Sequence, residues 1–196
     1  MPVYESIEWS NFWVEHPGET DRPRVLLVGD SITLGSKHLV KELMGDGMYV
    51  DTLTTSHALD NPDYLRELDD MLARNRYEVI HFNNGLHGFH LSAEAYEALY
   101  DVVVAHLLEK CPETKLVLGL STPISDGEHT ERLGEKNDVV VARNNAVRRI
   151  AERYGLPVND SYALVLGIPE IRATDSYHYL EPGYRRIAEQ MAAFLK

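Results

Sequence analysis

Five short apolar runs, each followed by a longer stretch with apolar residues at every third or fourth position, limit this chain to a small set of folds. The runs cover residues 24–28, 48–54, 79–82, 116–120 and 156–160. Consecutive apolar residues bounded by a turn signal suit a strand buried on both faces, whereas a three-to-four spacing suits a helix with one face on a core. Helices are predicted over 31–43, 63–75, 92–110, 137–154 and 183–194. Leu65, Leu68, Met71 and Leu72 mark the buried stripe of the second, and Val141, Ala142, Val147, Ile150 and Ala151 that of the fourth. Ser92 is placed to cap the third helix, Asn137 or Asp138 to cap the fourth, and Gly155 to end it. Strands alternating with helices at this spacing predict a parallel sheet of five strands with helices on both faces.

With 196 residues, 44% of them hydrophobic, the chain can bury a core as one domain spanning 1–196. Residues 1–23 hold both tryptophans, Trp9 and Trp13, together with His16-Pro17-Gly18. They are expected to be irregular and to pack across the core, the tryptophans serving as packing mass or as the rim of a ligand entrance. Residues 121–135 form the longest expected loop and a candidate lid, and 162–174 are expected to be irregular. A net charge of −12, spread along the chain, argues against nucleic acid or an anionic membrane as partner. Cys111 is the single cysteine, which rules out an intrachain disulfide and a Cys-rich zinc cluster. The start, Met1-Pro2-Val3-Tyr4-Glu5-Ser6, lacks the basic and apolar parts of a signal peptide, and no run reaches the length of a membrane span. A soluble, cytoplasmic protein is expected, with its oligomeric state open. Gly45-x-Gly47 lacks a third glycine and follows no strand, so the dinucleotide fingerprint fails and no cofactor is expected.

The chemistry-bearing residues gather at the ends of the predicted strands. Gly29-Asp30-Ser31-Ile32-Thr33 follows the first, Thr55-Ser56-His57 the second and Asn83-Asn84-Gly85-Leu86-His87 the third, while Asp175-Ser176-Tyr177-His178 comes before the last helix. In an open parallel sheet these endings share one edge, where such folds hold their reactive groups. A serine hydroxyl is a poor nucleophile until a base takes its proton, and histidine suits that task near neutral pH. Ser31 and His178 are therefore the candidate nucleophile and base, with Asp175 placed to turn back on the imidazole and fix its tautomer. Asp30 and Ser31 are equally the residues of an ordinary helix cap, and that stretch alone does not choose between the readings.

Attack on an ester carbonyl needs donors for the developing oxyanion. The Ser31 backbone N–H and the Asn83 side chain are the first candidates, with Asn84 as the alternative to Asn83 and a backbone donor at or near Ser56 as the third. His87, His57 and Tyr177 are candidate substrate contacts. His57 is equally well read as solvated, and Tyr177, like Tyr179, as packing. Asp30 is expected to tie its loop by a hydrogen bond, and His81 to be a satisfied buried polar group. His87, His90 and Glu94 lack the spacing of a zinc motif, so no metal site is read there.

Gly29-Asp30-Ser31-Ile32-Thr33, Asn83-Asn84-Gly85-Leu86-His87 and Asp175-x-x-His178 resemble, in order and spacing, the blocks of the SGNH, or GDSL-type, hydrolase superfamily. The resemblance spans residues 24–188. It implies a flavodoxin-like three-layer α/β/α sandwich, with Ser31 as nucleophile, His178 as base and Asp175 as its partner. It also implies oxyanion donors from Ser31, from a residue after the second strand and from a side-chain asparagine. The family's glycine after the second strand is missing, and its Gly-x-Asn-Asp is replaced here by Asn-Asn-Gly-Leu-His. The expected activity is serine-dependent hydrolysis of a small acyl ester, acetyl-like and carried on an alcohol such as a sugar. Acyl transfer by the same residues and a non-catalytic carbohydrate-binding relative are the alternatives. A phosphate-signalling receiver shares the sheet order but wants an aspartate where Asn83 stands.

Overall fold

A computed structural model describes residues 3–196; Met1 and Pro2 lie outside the described residues. Six strands form one sheet: β1 (Ser10–Trp13), β2 (Arg24–Gly29), β3 (Tyr49–Thr55), β4 (Val79–Phe82), β5 (Lys115–Gly119) and, beyond a separate hairpin of β6 (Ser125–Asp126) and β7 (His129–Leu133), β8 (Val158–Asn159). Their order across the sheet is β1-β3-β2-β4-β5-β8. All neighbours run parallel except β1, which lies antiparallel on the edge of β3 with Phe12 opposite Leu53.

The five predicted strands are present, and β1 is the sixth. Residues 1–23 are therefore not wholly irregular: Ser10 to Trp13 supply the hydrogen bonds that the outer edge of β3 would otherwise leave open. Four residues carry too short an alternation to be told from a loop. The expected loop at 121–135 likewise contains the β6–β7 hairpin. Its second strand is polar and mostly exposed, so no apolar pattern marks it.

Helices cover both faces. Val25 and Leu27 of β2 point to a layer made by α1 (Ser31–Met44) and α6 (Glu181–Leu195), through Ile32, Val40, Ile187, Met191 and Leu195. Leu26 and Val28 point the other way, to α2 (Pro62–Leu72), α3 (Ala93–Lys110) and α4 (Asn137–Tyr154), through Leu68, Tyr96, Tyr100, Val147 and Ile150. This gives the three layers that unbroken apolar strands require. Ser92 caps α3 by accepting from Ala95 N at 3.2 Å. The expected cap of α4 is corrected: Lys136 precedes the helix without a side-chain cap bond. Asn137 is instead buried, donating to the Tyr162 hydroxyl at 2.9 Å and accepting from Ile124 N at 3.1 Å. Gly155 ends α4 at φ +66°, the left-handed conformation glycine adopts without strain. The segment after β8 is also more regular than expected, with a short helix α5 (Ser161–Val165).

The chain leaves β2 through α1 to reach β3 on one side and returns to β4 on the other, so the order of travel reverses at β2. The crevice beyond the carboxyl end of β2 is the switch point where such sheets place their sites.

Candidate functional site

Gly29 closes β2 under the first turn of α1, where a Cβ would lie 2.1 Å from Thr33 Oγ1. Asp30 caps α1, accepting from Ile32 N at 2.9 Å. Burial pushes its carboxyl up, and the nearby His87 and His178 and the Ile32 N–H only partly offset this. The cap leaves Ser31 as the first residue of α1, its backbone N–H without a partner among the described residues.

The Ser31 hydroxyl lies 2.8 Å from His178 Nε2. His178 Nδ1 lies 2.6 Å from Asp175 Oδ2, while Asp175 Oδ1 accepts the backbone N–H groups of His178 and Tyr177 at 2.9 and 3.0 Å. One carboxylate thus holds both the ring and the backbone of the residue that faces the serine. Ser176 makes the bend possible at φ +76°, a conformation a non-glycine residue adopts only when held. Its carbonyl is held by Ser125 N at 2.9 Å, and its hydroxyl takes Gly127 N–H at 3.0 Å, so the β6–β7 hairpin anchors the loop. Partial burial would raise the Asp175 carboxyl, but its bonds to the His178 amide and ring and to the Tyr177 amide outweigh this and hold it below the usual carboxylate range. The His178 side chain is 39% exposed, so the group opens to solvent.

Two of the expected oxyanion donors are engaged elsewhere in the fold. The Ser56 N–H is donated to the Trp9 carbonyl at 3.0 Å, and that of His57 to Thr55 Oγ1 at 3.1 Å. Ala58 is the first residue of that loop whose N–H has no partner among the described residues. On the other loop, the Asn83 amide donates to the Gly119 carbonyl at 2.8 Å and to Ser121 Oγ at 3.1 Å, which directs both its hydrogens toward β5. Asn84, the next residue and so on the opposite face, donates one hydrogen to the His57 carbonyl at 3.1 Å and stands beside the buried Tyr64 hydroxyl, and its Oδ1 is without a partner among the described residues. Asn84 reaches across to the loop that carries Ala58.

The other candidate contacts divide. His57 is buried between Glu67, 3.3 Å from its Nδ1, and Glu8, 3.7 Å from its Nε2, so it faces the N-terminal segment rather than an open pocket. His87 lies at 3.0 Å from Glu5 through Nδ1 and edge-on to Trp9, with ring centroids 6.4 Å apart. Tyr177 is half-buried against the α1–α6 layer. His90 is bonded to Asp60 at 3.0 Å, and among the described residues no three His, Cys, Asp or Glu side chains are grouped to hold a metal ion.

His81 is only half satisfied. Its Nε2 accepts from Asn159 Nδ2 at 2.9 Å, which puts the proton on Nδ1, and Nδ1 has no partner among the described residues. Burial pushes its pKa down to about 4, so the ring is neutral at pH 7. Arg143 is not among the residues singled out from the pattern; its place on the buried stripe, three residues after Val140 and four before Val147, is the signal that could have marked it.

No family model and no curated protein matches the chain. Solved structures do. The acetyl xylan esterase AlAXEase superposes with a TM-score of 0.73 at 22% identity, over 88% of this chain and 100% of that one. Axe2, an acetylxylan esterase from Geobacillus stearothermophilus, does so with a TM-score of 0.69 at 16% identity, over 88% and 94%. The native aryl esterase of M. smegmatis gives 0.70 at 16% identity, over 87% and 97%. The chain shares the fold of these esterases, in agreement with the resemblance of its sequence blocks to the SGNH superfamily.

Proposed function

We propose that this chain is a serine esterase that removes a short, acetyl-like acyl group from an alcohol through an acyl-enzyme on Ser31. The observation that carries the reading is the unbroken series Asp175–His178–Ser31 at 2.6 and 2.8 Å, with the Ser31 backbone N–H without a partner among the described residues. His178 takes the Ser31 proton through Nε2 as the hydroxyl attacks the ester carbonyl, while ionised Asp175 holds Nδ1–H and stabilises the imidazolium. The carbonyl oxygen becomes an oxyanion, for which the Ser31 and Ala58 N–H groups and the Asn84 amide are the donors. His178 then protonates the leaving alcohol, and in the second half activates water to release the acid. His87, on the same loop as Asn84, is the candidate contact for the alcohol side.

The acyl preference rests on two features. Neighbours in fold include enzymes named for acetyl xylan, and Gly29-Asp30-Ser31-Ile32-Thr33 lacks the last glycine of the lipase elbow. The test is hydrolysis of p-nitrophenyl esters of rising chain length, with an acetylated xylo-oligosaccharide alongside. Acetate is expected to be cleaved fastest; a rise in kcat/KM toward long chains would remove the short-acyl reading, and product formed only with an added acceptor alcohol would move it to acyl transfer.

A further inference from the structure

Arg143, in the middle of α4, is 1% exposed, and no carboxylate lies within ion-pair distance of it among the described residues. A buried guanidinium needs its donors satisfied, and here the partners of its two Nη atoms are peptide carbonyls of one loop, while Nε has no partner among the described residues. Nη1 donates to Gly85 O at 3.0 Å and to His87 O at 2.6 Å, and Nη2 to Gly88 O at 2.6 Å. The guanidinium also lies over the rings of Phe89 and Tyr96, 5.0 and 4.7 Å from their centroids. The Tyr96 hydroxyl in turn donates to Asn84 O. The carbonyls of residues 84, 85, 87 and 88 are therefore all held from the α3–α4 side.

The same loop is wedged sideways. A Cβ on Gly85 would lie 2.1 Å from Ser121 Oγ, and one on Gly88, at φ +65°, would lie 2.5 Å from the Cβ of Ala58. Moving the loop would thus alter where Asn84 and Ala58 stand relative to each other.

We propose that Arg143 is a positioning residue for the reaction, which by its hold on Gly85, His87 and Gly88 sets the Asn84 amide against the Ala58 N–H. The inference rests on the esterase reading of the site. Arg143 touches no reacting atom, so its effect belongs in kcat rather than KM. Misplacing a transition-state donor by about 1 Å costs about 10²-fold in rate, and Lys, with one ammonium, cannot span three carbonyls.

The experiment compares Arg143→Lys and Tyr96→Phe, each alone and with Asn84→Ala, by steady-state kinetics on p-nitrophenyl acetate. Rates are expressed per site titrated with a fluorophosphonate, which separates misfolded protein from misplaced donors. Expected is a fall in kcat of about 10²-fold for Arg143→Lys with KM within about threefold, a smaller fall for Tyr96→Phe, and little further loss from either once Asn84 is alanine. Hydrogen exchange provides a readout independent of activity: the amides of 85–88 should exchange faster in Arg143→Lys while those of 175–178 stay unchanged. An equal loss with and without Asn84, a loss of titratable sites alone, or unchanged exchange over 85–88 would overturn the proposal. A wild-type protein that hydrolyses no ester, with exchange altered only over 85–88, would instead count against the esterase reading and leave the loop's dependence on Arg143 standing.

Discussion

The two ends of the sheet each carry a charged group, and they are finished differently. At the amino end, Arg24 and Asp51 form a buried pair at 2.7 Å, with side-chain exposures of 4% and 0%. Both Asp51 oxygens are taken up, one by Arg24 and Glu15 N, the other by Asn75 and the Tyr77 hydroxyl. The Arg24 Nη groups also donate to the carbonyls of Glu15, His16 and Glu19. At the carboxyl end, Asp175, His178 and Ser31 are joined just as closely, but their side chains meet solvent and the Ser31 N–H has no partner among the described residues. A cluster whose carboxylate oxygens are all bonded inside the fold holds strands together; one open toward solvent is equipped to receive something.

Substitutions should separate the two ends. Ser31→Ala is expected to lower kcat/KM by about 10⁴–10⁶-fold, with the thermal midpoint unchanged by circular dichroism. A large loss of stability in that variant would assign Ser31 to capping instead. Asp51→Ala leaves Arg24 buried without its partner, and breaking such a pair costs about 3–5 kcal/mol. The urea midpoint should fall accordingly while activity per folded molecule is kept. Asn84→Ala should cost about 10²–10³-fold in kcat, the usual effect of losing one oxyanion donor, whereas Asn83→Ala should act mainly on stability, through its lost bonds to Gly119 and Ser121. The reverse order would return the role to Asn83.

A smaller effect concerns pH. His81 has a folded-state pKa of about 4 against an ordinary 6.5. Between those values the unfolded chain binds a proton that the folded one refuses, so the stabilisation is complete above pH 6.5 and is lost as pH falls toward 4. The loss is about 3 kcal/mol at full shift. Urea titrations across that window should show the slope, and His81→Gln should flatten it; a wild-type profile that is flat from pH 7 to 4 would contradict the buried, half-bonded ring.

What could be read from the sequence follows the strength of each local signal. Apolar runs buried on both faces are hard to mistake, so β2, β4 and β5 were legible, while Val50 and Leu53 marked β3 and the short segment 156–160 marked β8. Their shared direction was enough to bring residues as distant as Ser31 and His178 to one edge. The edge strand β1 was not legible, because four residues with Phe12 and Trp13 both exposed carry no alternation. In α4 only the first part of the stripe was misread: Val147, Ile150 and Ala151 are buried as expected, but Val140 is buried where Val141 is 37% exposed, since the helix turns Arg143 and Asn144 inward with Val140 and Val147. A polar residue on a buried face breaks the pattern that apolar spacing relies on. The proposed oxyanion donors were the least legible. Which of Ser56, His57 and Ala58 keeps a free N–H is decided by Trp9 and Thr55, and which asparagine does so by Gly119, Ser121 and His57. Those partners come from other strands, and spacing along the chain does not encode them.

The most direct measurement is mass-spectrometric mapping of a fluorophosphonate adduct on the native protein, repeated with Ser31→Ala and His178→Ala. One adduct on Ser31 is expected, absent from Ser31→Ala and formed far more slowly in His178→Ala. An adduct on Cys111, or none on a protein that still hydrolyses esters, would contradict the assignment of Ser31 as the nucleophile.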